Sequence, residues 1–215
     1  MSEFTCAECR VWACRSHEMD RLPKNCPTRK SMNGEDIELY SEEELKISHE
    51  AALVESVGYG RHTRLEETMS FAYRMGYKKL GIGFCAGLKE EARVLAGILR
   101  ENGFEVCAEI CKCGSMSKSC IGIEDSEQVR PGQFEPMCNP AAQAERLNEE
   151  GTELNILLGL CVGHDSLFIK HSKAPVTVFV SKDRALAHNP IAAIYQSDAY
   201  LKRVHTFIKD EFHLE

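Results

Sequence analysis

The sequence predicts an α/β protein: a three-layer α/β/α sandwich on a mostly parallel sheet of about four strands, with a small cysteine-rich metal-binding segment at the N-terminus. Two observations predict the sandwich. At Gly76, Gly103 and Gly151 a helix-like run stops at a glycine and an apolar run follows at once, and "APVTVFVS" supplies one more apolar run. A left-handed glycine closing a helix that leads straight into a strand is half of a βαβ unit. A third observation sets the N-terminus apart. Residues 1–40 hold Cys6, Cys9, Cys14 and Cys26, many charges and little apolar periodicity. Burial cannot order such a segment, so another force must. The expected division is a metal-binding segment over 1–40 and an α/β domain over 41–215.

The elements follow in order. In "SEEEL", Ser41 is an N-cap with Glu44 three residues on, a capping box opening a helix to about Val57. A second helix runs from Thr63 to Met75, with Leu65, Thr68, Met69 and Ala72 at helical spacing. Residues 87–102 form a third, with Leu88, Ala92, Leu95 and Leu99 turned inward. Asn139 and Pro140 offer an N-cap and a first-turn proline for a helix to about Glu150. A helix from Ser197 to Phe212 is expected to close the chain.

Composition narrows the function classes. A net charge of -7 argues against nucleic acid or an anionic membrane surface as partner. No apolar run approaches the ~18 residues of a membrane span. The opening "MSEFTCAECR" has no apolar signal core, so a cytoplasmic protein is expected. Eleven cysteines are abnormal for 215 residues, and clustered thiols without an export signal point to metal ligands or redox chemistry.

The thiols fall on the strand ends. Cys85 ends the first strand, Cys107, Cys111 and Cys113 lie late in or after the second, and Cys161 follows the third. Cys138 precedes the Asn139 cap, and Lys182, Asp183 and Arg184 follow the fourth strand. Parallel strands share one C-terminal edge, about 4.8 Å apart, and open α/β sheets bind ligands there. Cys85, Cys111, Cys138 and Cys161 are therefore expected to converge on one site. Four thiolates suit zinc or an iron–sulfur cluster, and three leave one iron open. A single buried cysteine reads more simply as a small hydrophobe; thiols after three successive strands do not.

His164, at a helix start after Gly163, is a candidate ligand, proton donor or helix-start residue. Asp165 is a candidate partner for it, or a carboxylate complementing the helix dipole. Lys182 and Arg184, with His188 nearby, either receive a small anionic or sulfur-containing substrate or form a salt-bridged loop. The glycines of "GIGFCAG" match neither a dinucleotide nor a phosphate-loop spacing. Cys107 is expected in the core, Cys113 and Cys120 at the surface. The spacing Cys6-x2-Cys9-x4-Cys14-x11-Cys26-Pro27 predicts a second site for zinc or iron–sulfur, with His17 as an alternative ligand. Two disulfides are the competing reading, disfavoured in a reducing compartment.

The run from Pro131 to Tyr195, with its M-C-N-P, G-L-C-V-G-H-D and K-D-R segments, resembles an uncharacterised family of cysteine-rich proteins from bacteria and archaea. This is the family called domain of unknown function 1847 and usually labelled metal-binding. The resemblance extends over essentially the whole chain. It implies that Cys85, Cys111, Cys138 and Cys161 match the family's cysteines and that a metal is bound, and it implies no reaction.

Three functions fit the residues: an iron–sulfur or zinc protein with redox or sulfur-handling activity at the sheet edge, a non-enzymatic zinc-stabilised binding module, and a thiol oxidoreductase using Cys161 as nucleophile and His164 as base. The last lacks a CxxC at a strand–helix junction and ranks lowest. Nothing in the sequence sets an oligomeric state.

Overall fold

A computed structural model describes residues 6–31 and 34–213. The chain divides into two compact units, 1–53 and 54–215. The division falls within helix α1 (Glu42–Gly58), which Ser41 opens through a reciprocal box with Glu44: each residue's side chain bonds the other's backbone N–H.

The larger unit carries α2 (Arg64–Met75), β1 (Lys79–Phe84), α3 (Lys89–Glu101), β2 (Glu105–Ile110), α4 (Pro140–Glu149), β3 (Leu154–Leu158), α5 (His164–His171) and β4 (Val176–Val180). The short helices α6 (Ile191–Tyr195) and α7 (Phe207–Phe212) follow. The four strands form one parallel sheet in the order β2-β1-β3-β4. The predicted caps are present. Thr63 and Glu66 form a capping box for α2, and Asn139 accepts the Ala142 N–H ahead of Pro140 in α4. Gly76 and Gly103 take the left-handed conformation (φ 85° and 89°) that lets a helix turn directly into a strand.

Alternation along the strands sorts the core into two layers. Leu154, Ile156 and Leu158 of β3 join Leu80, Ile82 and Phe84 of β1 on one face, under Ala72 of α2 and Ala92, Leu95 and Leu99 of α3. Leu157 faces the other way, with Ala144 and Leu147 of α4 and Phe168 of α5. The three-layer α/β/α arrangement is thus present.

The glycines of β1 serve this packing. A Cβ on Gly81 would stand 1.9 Å from Asn155 Oδ1, and one on Gly83 2.5 Å from the Phe168 ring. Bare backbone there lets Asn155 lie fully buried, accepting from Thr152 Oγ1 and donating to Ser172 Oγ, both at 2.8 Å.

Two expectations are corrected. Residues 197–212 do not form one helix: a 3-10 turn spans Lys202–His205, and α7 covers only Phe207–Phe212. None of these residues is buried, so no packed face consolidates a longer helix. Cys113 is buried, at 6 % exposure, and its thiol donates to the Asn139 carbonyl.

In the smaller unit, 3-10 turns recur at Cys6–Glu8, Met19–Arg21, Pro27–Lys30 and Glu35–Leu39. Among its described residues only Ala13 and Leu22 are buried. No described helix is long and apolar enough to cross a membrane.

Candidate thiol-lined site

The strand order reverses between β1 and β3. From β1 the chain crosses to β2 on one side, then returns past β1 to β3 on the other. Such a switch point opens a crevice at the carboxyl ends of the two strands. Cys85 and Cys161 stand there.

The ladder runs one residue past the strands. Cys85 N–H donates to the Leu158 carbonyl at 3.1 Å, and Cys111 N–H to the Phe84 carbonyl at 2.9 Å. Cys85 and Cys111 are therefore neighbours at the sheet edge. Cys138 arrives by a different route, through the long loop between β2 and α4. Asn139 N–H donates to the Cys111 carbonyl at 2.7 Å, which sets the Cys138 sulfur 3.9 Å from that of Cys111. Three of the predicted thiols are thus brought together.

Their protons are unequally held. Cys85 and Cys138 are each lowered to about 5, first by hydrogen bonding to Cys111. The Gly87 N–H and the Lys182 ammonium reinforce Cys85, while Lys112 and then His164 reinforce Cys138. The middle thiol, Cys111, is pushed up by its two neighbours and by burial, against the Ala86 N–H that donates to its sulfur at 3.3 Å. Cys111 has one S–H to share between two acceptors, so the three thiols titrate as a unit. Cys107, by contrast, is raised by burial, and its thiol donates to Glu150 3.6 Å away.

The Cys161 sulfur is engaged by a cation. Arg184 Nη2 donates to its sulfur at 3.2 Å, and the guanidinium also faces Cys85 and Cys138 at longer range. Lys182 lies beside Cys85; a Cβ on Gly87 would stand 3.3 Å from its Nζ and 4.0 Å from the Cys85 sulfur. The loop carrying both cations ties itself. Asp183 Oδ1 accepts from the N–H groups of Ala185 and Leu186, and the Asp183 N–H donates to His188 Nδ1. His164 faces Cys138. Asp165 accepts from the adjacent Ser166 N–H, a bond within the first turn of α5. Among the described residues, no group of three or more His, Cys, Asp or Glu side chains closes on a single metal ion.

Two contributors escaped the sequence reading. Lys112 stands between two cysteines in "CKC", and that spacing could have flagged it. Gln143 is fully buried, donating from Nε2 to the Phe84 and Glu109 carbonyls at 3.2 and 2.7 Å. It ties α4 to the strand ends that carry Cys85 and Cys111. Its place with Pro140, Ala144 and Leu147 on the inner helix face was a usable signal.

In the smaller unit, Cys6, Cys9 and Cys26 line a cavity of about 240 Å³ with Arg10 and Asn25, and Cys14 does not line it. The Cys9 thiol is lowered by the N–H groups of Trp12 and Val11, which donate to its sulfur. Trp12 there takes a φ of 51°, curling the chain back over Cys9. All eleven cysteines are free.

A family model described as "Protein of unknown function (DUF1847)" matches residues 26–179. The chain belongs to that family. The match includes Cys26, Cys85, Cys111, Cys138 and Cys161 and excludes Cys6, Cys9, Cys14, Lys182 and Arg184. An uncharacterised protein of Methanocaldococcus jannaschii, MJ0455, is 44% identical over 200 residues, covering 93% of this chain and 97% of its own. Two solved structures of Dph2 from Pyrococcus horikoshii, one with a 4Fe-4S cluster, align at 17% identity and a TM-score of 0.35. Each alignment covers 71% of this chain, which spans 40% of the Dph2 chain.

Proposed function

We propose that the protein is a cytoplasmic iron–sulfur protein whose working site is the thiol-lined sheet edge, with Cys85, Cys111 and Cys138 as cluster ligands. The observation that carries this is the contact of Cys111 with both Cys85 and Cys138 at the sheet edge, with the outer two drawn to about 5. Thiolates are the ligand form, and sulfurs accepting backbone N–H bonds suit a cluster. Three thiolates are one short of the closed set that structural zinc takes. When bound, a cluster would supply electron transfer or an open iron for a small ligand.

The chain's own residues do the rest. Gln143 holds the strand ends in place, the Ala86 and Gly87 N–H groups hold the sulfurs, and Lys182, Lys112 and Arg184 balance the thiolate charge. Those cations would receive a small anionic substrate. His164 would move a proton beside Cys138. The N-terminal segment would hold a second metal through Cys6, Cys9 and Cys26, with Cys14 completing the set after a local rearrangement. It would be structural or an electron relay.

One observation favours zinc instead. The Cys111–Cys138 separation of 3.9 Å is close to the edge of a zinc–thiolate tetrahedron, ~3.8 Å for Zn–S near 2.3 Å. That reading makes the protein a zinc-stabilised binding module. Absorption and elemental analysis of protein purified without oxygen separate the two. The iron–sulfur reading expects a broad visible band and iron that fall in Cys138→Ser and in Cys85→Ser. Colourless protein holding zinc would overturn it.

A further inference from the structure

Four cysteines meet at the sheet edge, but in an arrangement of three and one. Cys111 engages both Cys85 and Cys138, while Cys161 engages a guanidinium. No carboxylate among the described residues pairs with Arg184, and its nearest charge partners are thiol sulfurs. A guanidinium has five N–H donors, and only one of them is used on the Cys161 sulfur. Four donors remain for a further anionic atom bonded to that sulfur.

Access separates the thiols too. Cys85 and Cys111 are 8% and 2% exposed, whereas Cys161 is partly open and followed by Val162, which is 91% exposed. A small solute therefore meets Cys161, like the partly open Cys138, before it meets Cys85 or Cys111. Lys182 stands on the same rim, beside Cys85.

We propose that Cys161 is a sulfane-sulfur carrier: with Arg184 as its positioning residue, it takes the terminal sulfur atom of a small persulfide or inorganic polysulfide and holds it as a cysteine persulfide. The Cys161 thiolate attacks the donor's terminal sulfur. The new Sγ–S bond forms as the donor's S–S bond breaks, and the electron pair leaves with the donor thiolate, which takes up the proton that Cys161 gave up. Sulfane sulfur passes from one thiolate to another, so no outside oxidant or reductant is needed. The terminal persulfide sulfur carries the negative charge, and the unused Arg184 donors hold it. Attack on that sulfur by an acceptor thiolate reverses the bond changes and regenerates Cys161. The proposal rests on the edge thiols being the working site, and it does not require that a metal be bound.

The test uses the full chain purified without oxygen. It is incubated with inorganic polysulfide, alkylated at timed intervals and mapped by mass spectrometry for peptides that gain one sulfur atom. The exposed Cys120 serves as internal reference. Cys161 is expected to load about tenfold faster than Cys120 or more. Arg184→Gln should remove that advantage, and Arg184→Lys should keep part of it, with Cys120 loading unchanged in both. Loading of Cys161 no faster than Cys120, or an Arg184→Gln protein that loads like the wild type, would overturn the proposal. Should Arg184→Gln fail to fold, the wild-type ratio and Arg184→Lys still decide. Iron content and absorption, read on the same samples, report the cluster separately.

Discussion

The sulfurs of Cys111 and Cys138 lie 3.9 Å apart although 27 residues separate them in the chain. The contact is made by backbone: the Asn139 N–H donates to the Cys111 carbonyl, so the N-cap of α4 is stitched to the end of β2. One hydrogen bond thus joins a helix start, a strand end and two thiols.

That contact predicts a reactivity order in metal-free protein. Cys138 is lowered and Cys107 raised. Alkylation of Cys138 should therefore stay fast from alkaline to neutral pH and fall only as pH approaches about 5. Cys107 should react appreciably only above the ordinary thiol range. Cys111→Ala removes the shared hydrogen, so the Cys138 profile should move up toward that of a free thiol. Rate against pH, read peptide by peptide, checks both. A Cys138 profile unmoved by Cys111→Ala would count against the hydrogen bond as cause.

Gly83→Ala should destabilise the larger unit by about 1–3 kcal/mol through overpacking against Phe168. Phe168→Leu in the same chain should recover part of that loss, because the two sites share the contact. Urea midpoints of the two single variants and the double variant give the coupling. Simple additivity would mean that the glycine answers to something else.

Glu153 accepts the N–H groups of Lys78 and Lys79 at 2.6 and 2.9 Å, and they hold its carboxyl below the usual range. The folded carboxyl is more acidic than the unfolded one. Its contribution is thus complete above the unfolded value of about 4.3 and is lost as pH falls through the folded one. Glu153→Gln should accordingly lower the urea midpoint near neutral pH. The gap to wild type should narrow as pH falls below the unfolded value of about 4.3.

Trp12 is the single tryptophan, and its backbone N–H donates to the Cys9 sulfur. On the proposed N-terminal metal site, a chelator should therefore shift Trp12 emission while the far-ultraviolet signal of the α/β unit persists. Cys9→Ser should give the shifted spectrum without chelator. An emission spectrum indifferent to both would remove the N-terminal metal.

Much of this protein was legible locally. Gly76 and Gly103 marked helix-to-strand turns, Ser41, Thr63 and Asn139 marked helix starts, and the placing of Cys85, Cys111 and Cys161 after strands followed from the same rhythm. These signals act within a few residues, through backbone conformation and capping hydrogen bonds, so a sequence carries them openly.

Tertiary structure decided the rest. The order β2-β1-β3-β4 put the switch point between Cys85 and Cys161, and no local signal ranks strands across a sheet. The division into a trio and a Cys161–Arg184 pair depends on where side chains point at the edge. The glycines of "GIGF", unexplained as a loop motif, make room for Asn155 and Phe168, residues more than 70 positions away. Cys113 was buried by the loop that folds back through Asn139, and residues 197–206 did not join one helix because none of them is buried. Periodicity and capping chemistry are set by neighbours in sequence, so they were determined before folding. Proximity, burial and charge pairing at the thiol site are set by neighbours in space, and those exist only once the sheet has chosen its order.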